Sequence, residues 1–235
     1  QLRKLKPSAT LAINEESNRL KKIGKRVFKF GFGQSPFPVP ESLALALKDN
    51  ANKNTYLPMQ GLEELRLAIA NHLKNNGNDF NLEDIVIGPG TKELMFLTQL
   101  SFDGEVLLPA PSWVSYQPQA HIAQNKVHWI NTNRESNWFP TAEQLENKIK
   151  DLKNSNLLLF INSPNNPSGT ICKNLEEIAK VAKKNKLTII SDEIYSQLTF
   201  EGKYNSISNF YPEGTIVSSG ISKSCGAGGW RLGFF

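Results

Sequence analysis

Six short runs of aliphatic and β-branched residues alternate with helix-like patterns, and this alternation limits the fold more than any other feature of the chain. The runs are DIVIG (84–88), EVLLP (105–109), KVHWI (126–130), NLLLFI (156–161), LTIIS (187–191) and TIVSS (215–219). Between them lie TKELMFLTQL, TAEQLENKIKD and LEEIAKVAKKN. Strands separated by helices of this length predict an α/β domain around a largely parallel sheet. A chain of 235 residues, 39% of them hydrophobic, can bury such a core and is near the upper size for one compact domain, so one large domain with an appendage is expected.

The appendage is the N-terminal stretch. SATLAINEESNRLKKIG reads as a helix: Ser8 or Thr10 can cap its start, its acids come before its lysines, and Gly24 follows it. The Pro- and Gly-rich connector GFGQSPFPVP then reads as a hinge or binding loop, before PESLALALKDN, where Pro40 or Glu41 suits a first helical turn. The formal charge of +5 is uneven. Residues 1–29 hold nine Lys and Arg against Glu15 and Glu16, which leaves the rest of the chain at −2. A basic segment of this kind reads as a solvated helix face, not a nucleic-acid arm.

No apolar run reaches the roughly 20 residues a membrane span requires, and QLRKLKPSAT has no signal-like apolar core. Cys172 and Cys225 are far apart and form no CxxC pair, so reduced thiols in a cytoplasmic protein are expected, with no zinc site and no disulfide. His72, His121 and His128 lie in helix or strand patterns without ligand spacing and are read as structural, with no metal expected.

In open parallel sheets ligands bind beyond the carboxyl ends of the strands. Those positions carry Pro89-Gly90-Thr91-Lys92, Ala110-Pro111-Ser112-Trp113, the turn Asn162 to Gly169, Asp192-Glu193-Ile194-Tyr195, and Gly220-Ile221-Ser222-Lys223. An anion cradle at a helix start, an aromatic face, an amide, a carboxylate with a phenol three residues on, and a lysine are thereby aimed at one crevice.

With YLPMQGLEELR, PAPSWVSY, NSPNNPSGT, SDEIYSQLTFEGKYNSI and SKSCGAGGWRLGF in this order, the chain resembles the class I/II pyridoxal-phosphate-dependent aminotransferases of fold type I, on the aspartate aminotransferase-like branch. The resemblance implies a three-layer α/β/α large domain over residues 46–235. It implies a mostly parallel seven-stranded sheet of order 3-2-4-5-6-7-1, with strand 7 antiparallel. Residues 1–45 would belong to the small domain. It implies pyridoxal 5′-phosphate as cofactor, transfer of an amino group from an α-amino acid to a 2-oxo acid, and a homodimer with shared active sites, without nucleic-acid or membrane partners.

By that resemblance Lys223 forms the Schiff base and moves the proton, and Asp192 pairs with the pyridine nitrogen. Tyr195 and Asn166 hydrogen-bond the 3′-oxygen, and Trp113 stacks on the ring. Gly90, Thr91, Lys92, Ser222 and Arg231 hold the phosphate, and Tyr56 reaches the phosphate of the neighbouring subunit. Gly33 approaches the substrate carboxylate. A β-lyase or synthase of the same fold and a non-catalytic cofactor-binding fragment are the alternatives; the amino acid and the oxo acid stay open.

The chain also departs from the pattern. Gly33-Gln34-Ser35-Pro36-Phe37 replaces a segment that often carries an acidic pair, Gly228 stands where threonine is common, and Cys225 sits two residues after the lysine. Relatives continue well beyond the counterpart of Phe235 and supply an arginine for the substrate α-carboxylate, so the chain reads first as a fragment of a longer enzyme, with a natural short form that another chain completes as the alternative. A truncated strand 7 would leave a poorly filled slot between strands 6 and 1.

Overall fold

The computed structural model describes residues 9–31, 33–153, 156–200 and 204–235, which form two compact units, 1–38 and 39–235. In the first unit, α1 (Ala9–Lys22) ends in a Schellman turn. The Lys25 amide bonds the Leu20 carbonyl and the Gly24 amide that of Lys21, with Gly24 at φ 80°. Its start differs from expectation. Thr10 lies inside the first turn, Ser8 lies outside the described residues, and Glu15 and Glu16 fall in the middle of the helix, leaving the first turn without an acid.

The second unit contains a seven-stranded sheet of order β1-β7-β6-β5-β4-β2-β3, the expected order read from the other edge. The central strands are β2 (Glu105–Ala110), β3 (Lys126–Asn131), β4 (Leu157–Asn162), β5 (Thr188–Asp192) and β6 (Thr215–Gly220), all parallel. Both ladders of β7 (Gly233–Phe234) are antiparallel. Strand β4 is buried along its whole length, which accounts for the unbroken apolar run LLLFI.

Helices cover both faces. Met95 of α4 (Thr91–Ser101) and Tyr116 and Ala120 of α5 (Tyr116–Ile122) pack on Val106, Leu108, Leu158, Phe160 and Ile190. Against the opposite face, Leu145 of α6 (Ala142–Lys150) and Ile178 of α7 (Leu175–Lys184) meet Leu107, Leu159 and Ile189, and Ile69 and Leu73 of α3 (Glu63–Asn75) meet Val217. Thr141 and Gln144 cap α6 reciprocally, an arrangement worth about 1 kcal/mol. Helix α2 (Glu41–Asn50) buries none of its residues, and α8 (Ile221–Ser224) is a single turn after β6.

The first strand is shorter than its sequence run, because β1 is only Ile87–Gly88. Asp84 is spent on a capping turn, where its carboxylate accepts the Asn81 amide at 2.8 Å. The buried Arg66 guanidinium binds the Ile85 and Leu82 carbonyls at 2.9 and 2.7 Å. Val86 and Phe235 exchange backbone bonds of 2.9 Å in both directions. Beside them an apolar cavity of about 990 Å³ opens between β6 and β1, lined by Leu94, Ile85, Val86, Ile216, Val217 and Phe235. Among the described residues no helix is long and apolar enough to cross a membrane.

Candidate active site

Register places the chemistry. In the parallel ladders Asn162 lies beside Asp192, and Asp192 beside Ser218, so all three share the sheet face covered by α4 and α5. Asp192, at the last position of β5, is 5% exposed. The Tyr116 hydroxyl donates to its Oδ2 at 2.5 Å and the Ile194 amide to Oδ1 at 3.3 Å. Burial pushes the carboxyl up to about 6, against the pull of Tyr116, Ile194 and Lys223. A carboxylate has about four acceptor positions, and these two donors leave room for another.

Lys223 lies on the turn after β6. Gly220 is required there, because a Cβ would come within 2.6 Å of the Leu232 carbonyl oxygen where β7 passes. The Lys223 ammonium lies 5.7 Å from the centre of the Tyr195 ring, and half-burial lowers its proton affinity while Asp192 raises it. Desolvation thus favours the neutral, nucleophilic amine. Opposite, Asn162 organises the turn after β4. Its amide donates to the Asp192 carbonyl at 2.9 Å and its Oδ1 accepts the Asn166 backbone amide at 2.7 Å. The Asn166 side chain donates to the Tyr195 hydroxyl at 3.5 Å.

The third component is the start of α4. Gly90 has φ 96°, and a Cβ there would fall 2.0 Å from Arg231 Nη2, so the guanidinium rests directly against this glycine. Arg231, itself at φ 55°, donates from Nη1 to the Gly228 carbonyl at 2.8 Å, and Gly228 packs on Ser222. Lys92 lies 5.0 Å from the Trp113 ring centre. Its proton affinity is lowered by burial and then by Arg231. Neither cation forms an ion pair among the described residues. Two mutually repelling cations beside free helix N–H groups and Thr91 make a receptor for a multiply charged anion.

Gly90→Ala forces alanine into a left-handed φ of 96° and displaces the Arg231 guanidinium, so it is expected to lower the melting temperature, at a cost of about 1–3 kcal/mol, and to weaken phosphate-ester binding by about tenfold or more, read by calorimetry on the folded variant. Unchanged affinity would remove Gly90 from the cradle.

Two further expected residues are exposed. Tyr56 is fully exposed, and Gly33 is exposed within the 1–38 unit. Sequence reasoning passed over Tyr116 and Gln119 and gave Asn162 only as the start of a turn. The Gln119 amide donates to the Lys92 carbonyl at 2.7 Å, and its oxygen accepts from Gln99 at 3.1 Å. Helix α5 therefore holds Asp192 through Tyr116 and the anion cradle through Gln119. The signal available was the spacing of three between Tyr116 and Gln119, which puts both on one face of α5, three residues after Trp113. His128 of the edge strand β3 pairs with Glu105 of the neighbouring β2 at 2.7 Å.

Comparison with known proteins agrees with this geometry. Residues 25–235 match the family model described as aminotransferase class I and II. The chain is 36% identical to the aspartate aminotransferase of Bacillus sp. (strain YM-2), covering 100% of this chain and 62% of that protein. It is 33% identical to the probable aspartate/prephenate aminotransferase of Rickettsia typhi, covering 100% and 61%. The solved aspartate aminotransferase of Thermus thermophilus with maleate superposes with a TM-score of 0.92 at 32% identity, covering 99% of this chain and 62% of that one. The chain thus spans about three-fifths of the length of these relatives.

Proposed function

The chain belongs to the aminotransferase class I and II family, and from that membership we propose that it carries the cofactor half of an active site for transfer of an amino group from an α-amino acid to a 2-oxo acid. The observation behind this reading is the convergence of Lys223, the Asp192–Tyr116 pair and the Asn166–Tyr195 pair at the ends of three adjacent strands. Pyridoxal 5′-phosphate fits these groups: when bound, it supplies an electron-accepting ring that acidifies the α-carbon of an amino acid.

Each residue then has a task. Arg231, Lys92, Thr91, Ser222 and the amides after Gly90 bind the phosphate. Asp192 holds a proton on the ring nitrogen, and Trp113 covers the ring. Tyr195 and Asn166 orient the ring through its 3′-oxygen. Lys223 Nζ would hold the cofactor at its carbonyl carbon, with loss of water, and as a free amine would take the α-proton. Tyr56 and Gly33 are assigned to the partner's phosphate and to the substrate carboxylate. The proposal includes a cytoplasmic homodimer in which residues 46–235 form the large domain and residues 1–45 belong to the small one.

The test is a half-reaction screen of the cofactor-loaded protein with a panel of amino acids, aspartate first because the relatives bear its name. The expected result is a shift of cofactor absorbance that a 2-oxo acid reverses. Release of pyruvate and ammonia from a cysteine conjugate without an acceptor would instead establish a lyase, and binding without any shift a silent module.

A further inference from the structure

Asp192 is followed by a second buried carboxyl that the proposed chemistry does not use. Glu193 is 4% exposed, and its contacts lie on the sheet face away from Tyr116. Ser191 Oγ donates to its Oε1 at 2.8 Å, and Ser206 Oγ donates to the same oxygen. From Ser206 the line continues to Ser208, whose hydroxyl lies 2.7 Å away, and on to the Asn78 side chain beyond α3. Every member of this line is buried. On the other side, the Glu193 amide donates to the Ser218 carbonyl at 2.8 Å.

The donors around Glu193 are hydroxyls, not cations. The titratable groups facing it are Asp192, adjacent in the chain, and Tyr204, which in turn neighbours Cys172. Burial pushes the Glu193 carboxyl up to about 7, while Ser206, Ser191 and Tyr204 pull it down. Its charge therefore changes near neutral pH, directly behind the residue that holds the ring nitrogen.

We propose that Glu193 is a positioning residue for the proton chemistry of the site: held in place by the serine line, its carboxyl in the ionised form sets a negative charge behind Asp192 and raises the proton affinity of the bases that Asp192 faces. This rests on the reading given under Proposed function. A purely structural tie between β5, the 204–209 loop and Asn78 would be an alternative use of the same bonds, and the two differ in what a charge-removing substitution does.

The experiment is a pH titration of cofactor absorbance in the protein loaded with pyridoxal 5′-phosphate, for wild type, Glu193→Gln and Ser206→Ala. Glu193→Gln removes the charge and is expected to lower the titration midpoint by roughly 0.5–1 pH unit. Ser206→Ala removes one donor that favours the ionised form and is expected to shift the midpoint the same way by less. If Glu193→Gln does not fold, the Ser206→Ala shift decides. A structural tie would lower the melting temperature in both variants and leave both midpoints at the wild-type value, which overturns the inference alone. A wild-type protein with no cofactor titration would overturn the underlying functional reading as well.

Discussion

Lys223→Ala should abolish covalent cofactor attachment and reduce the half-reaction by roughly 10³-fold or more, because one side chain serves as both nucleophile and proton carrier. The structure supports the dual use. The amine is half-buried at the end of β6, and desolvation opposes its charge, yet Asp192 is close enough to influence it. Borohydride reduction followed by intact mass measurement gives the direct readout. Wild type should gain the mass of the cofactor and Lys223→Ala should not; a variant that still gains it would place the attachment on another lysine. Among the described residues Lys92, at the start of α4 beside the Trp113 ring, is the candidate such a result would point to first.

Asp192→Asn should act in opposite directions on activity and on the stability of the cofactor-free protein. Removing the charge that holds the ring nitrogen protonated is expected to slow the half-reaction by roughly 10²–10³-fold, the usual scale for one buried electrostatic partner of a reacting group. The cofactor-free protein should behave otherwise. The folded Asp192 carboxyl titrates at about 6, above its ordinary value of 3.8. Its contribution to stability is therefore present below about pH 4 and is lost as pH rises through about 6. Above that, a buried charge costs about 3 kcal/mol that an amide does not carry. Thermal melts without cofactor should show the variant gaining on wild type from pH 5 to pH 8. A constant difference across that range would mean that Asp192 is not the group whose ionisation is opposed.

Legibility from sequence followed the kind of interaction involved. The parallel core was readable because β4 and its neighbours are buried on both faces, which writes itself as continuous aliphatic runs. The end of α1 was readable because its signal is local: Gly24 takes a left-handed conformation suited to glycine. Asp84 misled, since an acid before IVIG looks like the edge of a strand yet closes a turn with Asn81. Tyr116 was missed because its meaning depends on a residue 76 positions later. Gln119 was missed likewise, since its partner is a backbone carbonyl, which leaves no mark in a side-chain pattern.

The same sequence distances set the order in which the site can come into being during folding. The bonds that define it join Tyr116 to Asp192 across 76 residues and Asn162 to Asp192 across 30, and the line behind it joins Asn78 to Ser208 across 130. Contacts of such separation pay their loop-closure entropy before they return any energy, so they form late, after the helices and after the first pairings of the sheet. A chain with β2, β4 and β5 already paired but β6 not yet docked would have the carboxylate in place and the lysine adrift. Cofactor capture through both groups is thus an event of the finished fold.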